Sequence, residues 1–260
     1  MNFQPKSIVL IFMCLAIAGC RKKADPVIAD PPANDTREVH VNFANFAGSD
    51  SLKLNTGTYI NASGESFTVS MFNYYISNIR LIAASGNDYV EKESYHLVRH
   101  GVNGSMHFHL TDVPQGDYKA IRFLIGVDSA RNVSGSQSGA LDVNNGMFWT
   151  WNTGYIMAKM EGKSDASNDN NKNFKYHPGG FSGPNSVLRT VQLDFPATMA
   201  LRTKINGDIV LKADILKWFA PQNVSIAQVN SVMMPGPDAT KIADNYAKMF
   251  SIITAATIAE

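Results

Sequence analysis

A period of two runs through this chain. Val39, Val41 and Phe43 alternate with His40 and Asn42, and Phe67, Val69 and Met71 alternate with Thr68 and Ser70. Val191, Leu193 and Phe195 alternate in the same way with Gln192 and Asp194. Successive side chains of an extended strand point to opposite faces, so each run offers one face to a core and one to water. Residues 73–82 (NYYISNIRLI) are aromatic and β-branched, which also favours a strand. The turn string Pro114-Gln115-Gly116-Asp117 leads into a run in which Ile121, Phe123, Ile125 and Val127 share a face. Residues 147–160 (MFWTWNTGYIMAKM) read as one long strand or as a hairpin pivoting near Asn152-Thr153-Gly154. Two stretches carry a helical spacing. One is 212–219, which reads equally as a continuation of the strand-like 209–211, and the other is 238–250 with Asp238 as N-cap. Long Asn-, Gly- and Ser-rich loops are expected at 129–145 and 162–173. The expected fold is mainly β, an antiparallel β-sandwich with long loops and one or two short helices near the C-terminus.

The first residues read as an address. Lys6 precedes a dozen apolar residues, 7–18, too few for a bilayer span of about 20. The run ends in Ile17-Ala18-Gly19-Cys20, which resembles a bacterial lipobox, cut before a cysteine that is then acylated. Residues 1–19 are thus expected to be a lipoprotein signal peptide, and 20–37 a lipidated Cys20 with a proline-containing tether. Residues 38–260 are expected to form one β domain. Arg21 stands where an aspartate would signal inner-membrane retention in many Gram-negative systems. The expected location is therefore the cell envelope, as an outer-membrane lipoprotein facing the periplasm.

Charge and cysteine content narrow the chemistry. Lys and Arg total 23 against 22 for Asp and Glu, so there is no basic surplus and no nucleic-acid partner is expected. Both cysteines lie within the first 20 residues, which leaves the domain without thiolate metal sites, disulfides or a cysteine nucleophile. No G-x-S-x-G elbow, H-E-x-x-H pair, Walker loop or dinucleotide glycine fingerprint occurs, and no enzymatic activity is expected. What remains is imidazole, indole, carboxylate and thioether. His107-Phe108-His109 puts two imidazoles on one face of a strand, either as half of an ion site or as the polar face of an edge strand near His100. His177 sits in Tyr176-His177-Pro178-Gly179-Gly180, either as a ligand on a stiff loop or as a cap on a backbone carbonyl. Trp149-Thr150-Trp151 places two indoles at i and i+2, facing the same way, where a core aromatic pair is the plain alternative. An indole is no metal ligand as it stands, but its ring-opened product, kynurenine, carries an aniline nitrogen.

Several strings taken in order resemble the MbnP-like copper-binding proteins, in the lipoprotein form common in Bacteroidetes. They are Leu54-Asn55-Thr56-Gly57-Thr58-Tyr59, Tyr74-Tyr75-Ile76-Ser77-Asn78-Ile79, Glu93-Ser94-Tyr95-His96-Leu97-Val98 and Gly116-Asp117-Tyr118. They continue with Ile125-Gly126-Val127-Asp128-Ser129, Gly139-Ala140-Leu141-Asp142, residues 146–156 (GMFWTWNTGYI), Tyr176-His177-Pro178-Gly179-Gly180 and Ala243-Asp244-Asn245-Tyr246 with Met249-Phe250. The resemblance implies a predominantly β envelope protein that binds one copper ion through a histidine-based site. In some members a partner di-haem enzyme oxidises a tryptophan to kynurenine. Carried over by position, the Trp-x-Trp string maps to Trp149 and Trp151 and the His-x-Gly string to His177. His96 is the next candidate metal residue, and Met147 or Met157 offers a thioether of the kind Cu(I) accepts. Two positions where lipoprotein-type relatives often carry histidine, before Ala213-Asp214 and after Met249-Phe250, hold none here. The competing expectation is a metal-free envelope module that binds a partner protein or glycan through the Asn/Gly loops.

Overall fold

The computed structural model describes Met1 and residues 36–135, 137–151 and 154–260. Apart from Met1, the expected signal segment, Cys20 and nearly all of the expected tether lie outside the described residues. No helix among the described residues is long and apolar enough to cross a membrane.

In chain order the strands are β1 (Thr36–Ala47), β2 (Asp50–Ser51), β3 (Thr58–Ile60), β4 (Ser66–Ala83), β5 (Tyr89–Val90) and β6 (Tyr95–Arg99). They continue with β7 (His107–Pro114), β8 (Gly116–Ile125), β9 (Phe148–Trp149), β10 (Gly154–Tyr155) and β11 (Ala158–Lys163). The last are β12 (Asn173–Tyr176), β13 (Arg189–Leu201), β14 (Ile205–Asp214), β15 (Ser231–Val232) and β16 (Phe250–Ala259). The helices are α1 (Ser129–Asn132) and α2 (Pro237–Tyr246). The smaller sheet runs β16-β14-β1-β2, with β7 also on β1. The larger runs β13-β8-β4-β11-β12-β15, with β3, β5 and β6 also paired to β4. The expected sandwich is present, but its sheets are mixed, because β1 runs parallel to β14 and β12 parallel to β15.

The period-two faces meet between the sheets. Phe43 of β1 and Phe250 of β16 pack edge-on against Tyr74 of β4, and Phe250 also meets Phe123 of β8. Such edge-to-face contacts add to the burial of large rings. One alternation breaks. Glu161 pairs with Met71 but Gly162 with Val69, so Ser70 is an extra residue in β4. A bulge of this kind reverses the faces beyond it. Met71 therefore turns outward and Phe72 inward, although the sequence groups Met71 with Phe67 and Val69.

In the C-terminal region one open alternative is decided and one expectation is corrected. The strand reading of 209–211 extends through Asp214, whose side chain accepts the Leu216 N–H and starts a 3-10 helix at Ile215–Phe219. α2 is capped by Gly236 with Pro237 in its first turn, rather than by Asp238, and it ends at Tyr246. Proline suits that first turn because the N–H it lacks would have no helical partner there. Phe250 then opens β16, which pairs with β14 and closes the small sheet.

Many of the ordered strings prove to be structural junctions. Asp128 Oδ2 accepts from Asn78 Nδ2 (2.7 Å) and from the Tyr95 hydroxyl (3.0 Å), while Ser77 Oγ donates to Gly126 O (2.7 Å). Asn245, fully buried, accepts from Gln222 N and donates to the carbonyls of Trp218 and Gln222. Asp244 holds Arg189, and the Tyr246 hydroxyl donates to Val187 O. Buried polar groups need such partners, and here they lock loops to the sheets.

Candidate functional site

β11 and β12 place four polar side chains on the outer face of the large sheet. Met160 and Tyr176 point into the core, so Lys159 and Glu161 on β11, and Lys175 with His177 beyond β12, take the other face. His177 is nonetheless only 5% exposed. Its backbone N–H donates to Val232 O (2.7 Å), and Met157 N donates to Pro178 O (2.9 Å), which fixes the segment from both sides. The cap reading of this imidazole does not apply. Its Nε2 lies 2.7 Å from Glu161 Oε1, and Nδ1 is buried without a hydrogen-bond partner.

That arrangement fixes the tautomer. Burial lowers the His177 pKa and outweighs the hydrogen bond with Glu161, which favours the neutral ring at pH values above the ordinary histidine value of about 6.5. The hydrogen bond from His177 in turn holds the Glu161 carboxyl below its ordinary value, against burial. An ionised carboxylate only accepts, so the single ring proton sits on Nε2 and Nδ1 keeps its lone pair. A buried lone pair without a donor is costly unless something occupies it. An imidazole oriented by a carboxylate through its other nitrogen is also the usual supporting arrangement for a metal-ligating histidine. Lys159, its pKa lowered by burial, donates to Gly146 O and so ties this face to the start of the β9–β10 segment.

The indoles stand next to this segment. Ile156 bridges Gly179, and the close approach of Trp149 requires glycine at position 179: a Cβ there would lie 2.5 Å from two of its ring atoms. Trp149 is 4% exposed and its Nε1 has no hydrogen-bond partner. It lines a cavity of about 280 Å³ together with Tyr155, Gly180, Phe181, Asn185 and Pro235. Trp151 does not share its environment as the i, i+2 spacing predicts. β9 ends at Trp149, and Trp151 is 59% exposed, with ring centroids 5.4 Å apart. Residues 147–160 form the hairpin alternative, β9 and β10, followed by β11, and Asn152 and Thr153 lie outside the described residues.

His96 is not brought to this place. It lies on β6, across β4 from β11, so three strand spacings, about 14 Å, separate its strand from β12. Its Nε2 lies 2.9 Å from both Glu91 oxygens, and its ring stacks on Phe108 at 3.6 Å. Of the four expected metal residues, Trp149 thus packs on Gly179, two residues from His177, with Trp151 beside it, whereas His96 lies elsewhere. Met157 is also engaged, since its sulfur accepts the Val127 N–H at 3.1 Å. Glu161 belongs to no motif in the sequence. Its only signal is an acidic residue two places after Lys159, at the end of an apolar run.

His100 belongs to a closed network rather than a site. Its Nε2 donates to Leu52 O (3.0 Å), its Nδ1 accepts from Asn45 Nδ2 (3.1 Å), and Asn45 Oδ1 accepts from the Tyr74 hydroxyl (2.9 Å). Burial lowers the pKa of His100, as it does that of His177. Both rings are free to protonate near the ordinary value of about 6.5 once the chain unfolds. The unfolded state therefore binds protons first. Stability is full above about pH 6.5 and declines as pH falls toward the lowered folded values, by up to about 1.4 kcal/mol per pH unit for each ring. In chelator-treated protein the urea midpoint is expected to drop between about pH 7.5 and pH 5.5. An unchanged midpoint would mean that the folded chain takes up protons over this range as readily as the unfolded one.

A family model described as MbnP matches residues 36–234. No curated protein matches the chain. Among solved structures, MbnP from Methylosinus trichosporium is similar with a TM-score of 0.53 and 14% sequence identity, covering 78% of this chain and 83% of that one. At that identity the likeness establishes the fold.

Proposed function

Since the chain belongs to the MbnP family, we propose that it is a lipid-anchored envelope protein that binds copper, with His177 as the anchoring ligand. The observation that carries this reading is the buried, unpartnered Nδ1 of His177, held in its tautomer by Glu161. Neutral imidazole suits copper, and the donor set contains no thiolate to bias the site toward zinc or iron–sulfur chemistry. One imidazole alone binds weakly, so the neighbouring Trp149 matters. As an indole it offers no lone pair, whereas ring-opened to kynurenine it would offer an aniline nitrogen. The expectation of a di-haem partner belongs to this reading, and such a partner would meet the exposed Trp151 before the buried Trp149. The function is binding and handling of the ion rather than catalysis. Cys20 would carry the acyl chains that hold the domain at the outer membrane, on its periplasmic side.

The test is metal content. The full chain in detergent is loaded with copper, dialysed against free histidine to strip weak sites, and assayed for copper per chain. Near-stoichiometric retention is expected, with loss in His177→Ala. Glu161→Ala is expected to weaken retention by about 10–100-fold, because it removes the group that orients the ligand. Retention that is unaffected by His177→Ala would overturn the assignment. Intact-mass analysis of the peptide holding Trp149 and Trp151 reports whether either indole is modified.

A further inference from the structure

A second group of donors lies on the outer face of the smaller sheet, well away from His177 in the topology. Along β1, Val39, Val41 and Phe43 are buried, which leaves Glu38, His40 and Asn42 on the outer face. On β7, Leu110 is buried and His107 and His109 are exposed. The register sets His40 directly opposite His109 and Asn42 opposite His107. Directly paired residues on neighbouring antiparallel strands hold their Cβ atoms about 4.5–5.5 Å apart. Two imidazoles at that spacing are close enough to share one ion. Their rings stack at 4.3 Å, within 11° of parallel.

The carboxylate of Glu38 joins them. Its Oε1 is 2.6 Å from His109 Nδ1, and its Oε2 is 3.6 Å from His40 Nε2. One donor atom from each of the three residues lies within 4.8 Å of the others. Ligands around a tetrahedral ion with bonds of about 2.0–2.2 Å stand roughly 3.4 Å apart. The two separations to Glu38 bracket that value, and the two imidazole donors lie within 4.8 Å of each other. On β14, Asp208 faces His40 across the sheet and accepts from Asn42 Nδ2 at 2.9 Å, which adds a fixed negative charge beside the group. His107 lies next along β7, its ring centroid 5.8 Å from that of His109, within reach as a further nitrogen donor.

We propose that Glu38, His40 and His109 form a solvent-facing site for a borderline divalent cation, Zn²⁺ or Cu²⁺, separate from His177. The donor chemistry selects the class of ion. Two neutral imidazoles and one carboxylate suit late first-row divalent metals, while Mg²⁺ and Ca²⁺ prefer all-oxygen shells. The exposure of the three side chains leaves coordination positions open to water, as in three-ligand zinc sites. Being open, the site exchanges its ion readily, which distinguishes it from a buried ligand such as His177.

The probe is Zn²⁺, titrated calorimetrically into the chelator-treated full chain in detergent. Binding of one ion with a dissociation constant on the order of micromolar is expected. His40→Ala and His109→Ala are each expected to weaken it by roughly tenfold or more, and the double variant to abolish it. His177→Ala is expected to leave it unchanged, so that failure of the buried site and failure of this one give different results. Absence of any binding tighter than about 1 mM overturns the proposal. So does wild-type affinity in the His40→Ala/His109→Ala variant, or loss of zinc in His177→Ala alone. All three ligands are surface side chains, and an unchanged thermal midpoint in the metal-free variants checks that the fold is intact.

Discussion

Gly162→Ala is expected to lower stability by about 3 kcal/mol or more. Gly162 lies in β11 opposite Val69 of β4 on one side and Phe174 of β12 on the other, at the bulge made by Ser70. A Cβ there would fall 1.9 Å from Thr68 O and 2.7 Å from a ring carbon of Phe174. The first obstacle is backbone within a sheet and cannot swing aside. The second is a fully buried ring packed against Phe67 and Tyr176. Relief therefore requires β11 and β4 to part, with loss of ladder hydrogen bonds on which the His177–Glu161 pair depends. A domain of ordinary stability has about 5–15 kcal/mol in hand, so the loss is severe. Urea unfolding checks it, and Gly236→Ala serves as a control. Position 236 has extended backbone and open space around its Cβ position, so that change is expected to cost about 1 kcal/mol or less. A Gly162→Ala midpoint equal to that of the parent would falsify the close approach of the two strands.

Trp218→Ala is expected to cost about 3–5 kcal/mol. Trp218 is fully buried in the 3-10 helix that follows β14. Its ring meets Phe72 of β4 and Tyr246 of α2, and its Nε1 donates to Met249 Sδ at 3.3 Å. The same residue's carbonyl accepts from the buried Asn245. One indole thus holds the large sheet, α2 and the lead into β16 together, and truncation leaves a cavity that three separate elements must close. Trp218→Phe is expected to recover much of the loss, since it keeps most of the ring volume and gives up a weak bond to sulfur. Thermal melts of both variants beside the parent test the point. Equal losses for alanine and phenylalanine would show that the sulfur bond, and not the volume, carries the effect.

The strands were legible because their signal is local. Val39, Val41 and Phe43 declare one buried face by spacing alone, and β1 has that face. Local spacing misleads where the partner strand intervenes. Met71 continues the alternation of Phe67 and Val69 in the sequence, yet the extra residue in β4 turns it outward. The same holds for Phe250, whose helical spacing with Ile242 and Tyr246 suggested a longer helix. Its pairing with Ala213 of β14 draws it into a strand.

Residue chemistry along the chain determined which donors this protein has: no thiol in the domain, six imidazoles, and a pair of indoles two residues apart. Only the tertiary structure decided which of them meet. His177 gained Glu161 through the β11–β12 pairing, and His109 gained His40 and Glu38 through the β1–β7 register. His96 was left with Glu91 and Phe108 on the far side of β4. The physical reason is that a metal-binding group is a matter of a few ångströms between strands, while sequence spacing fixes only which face of its own strand a side chain takes.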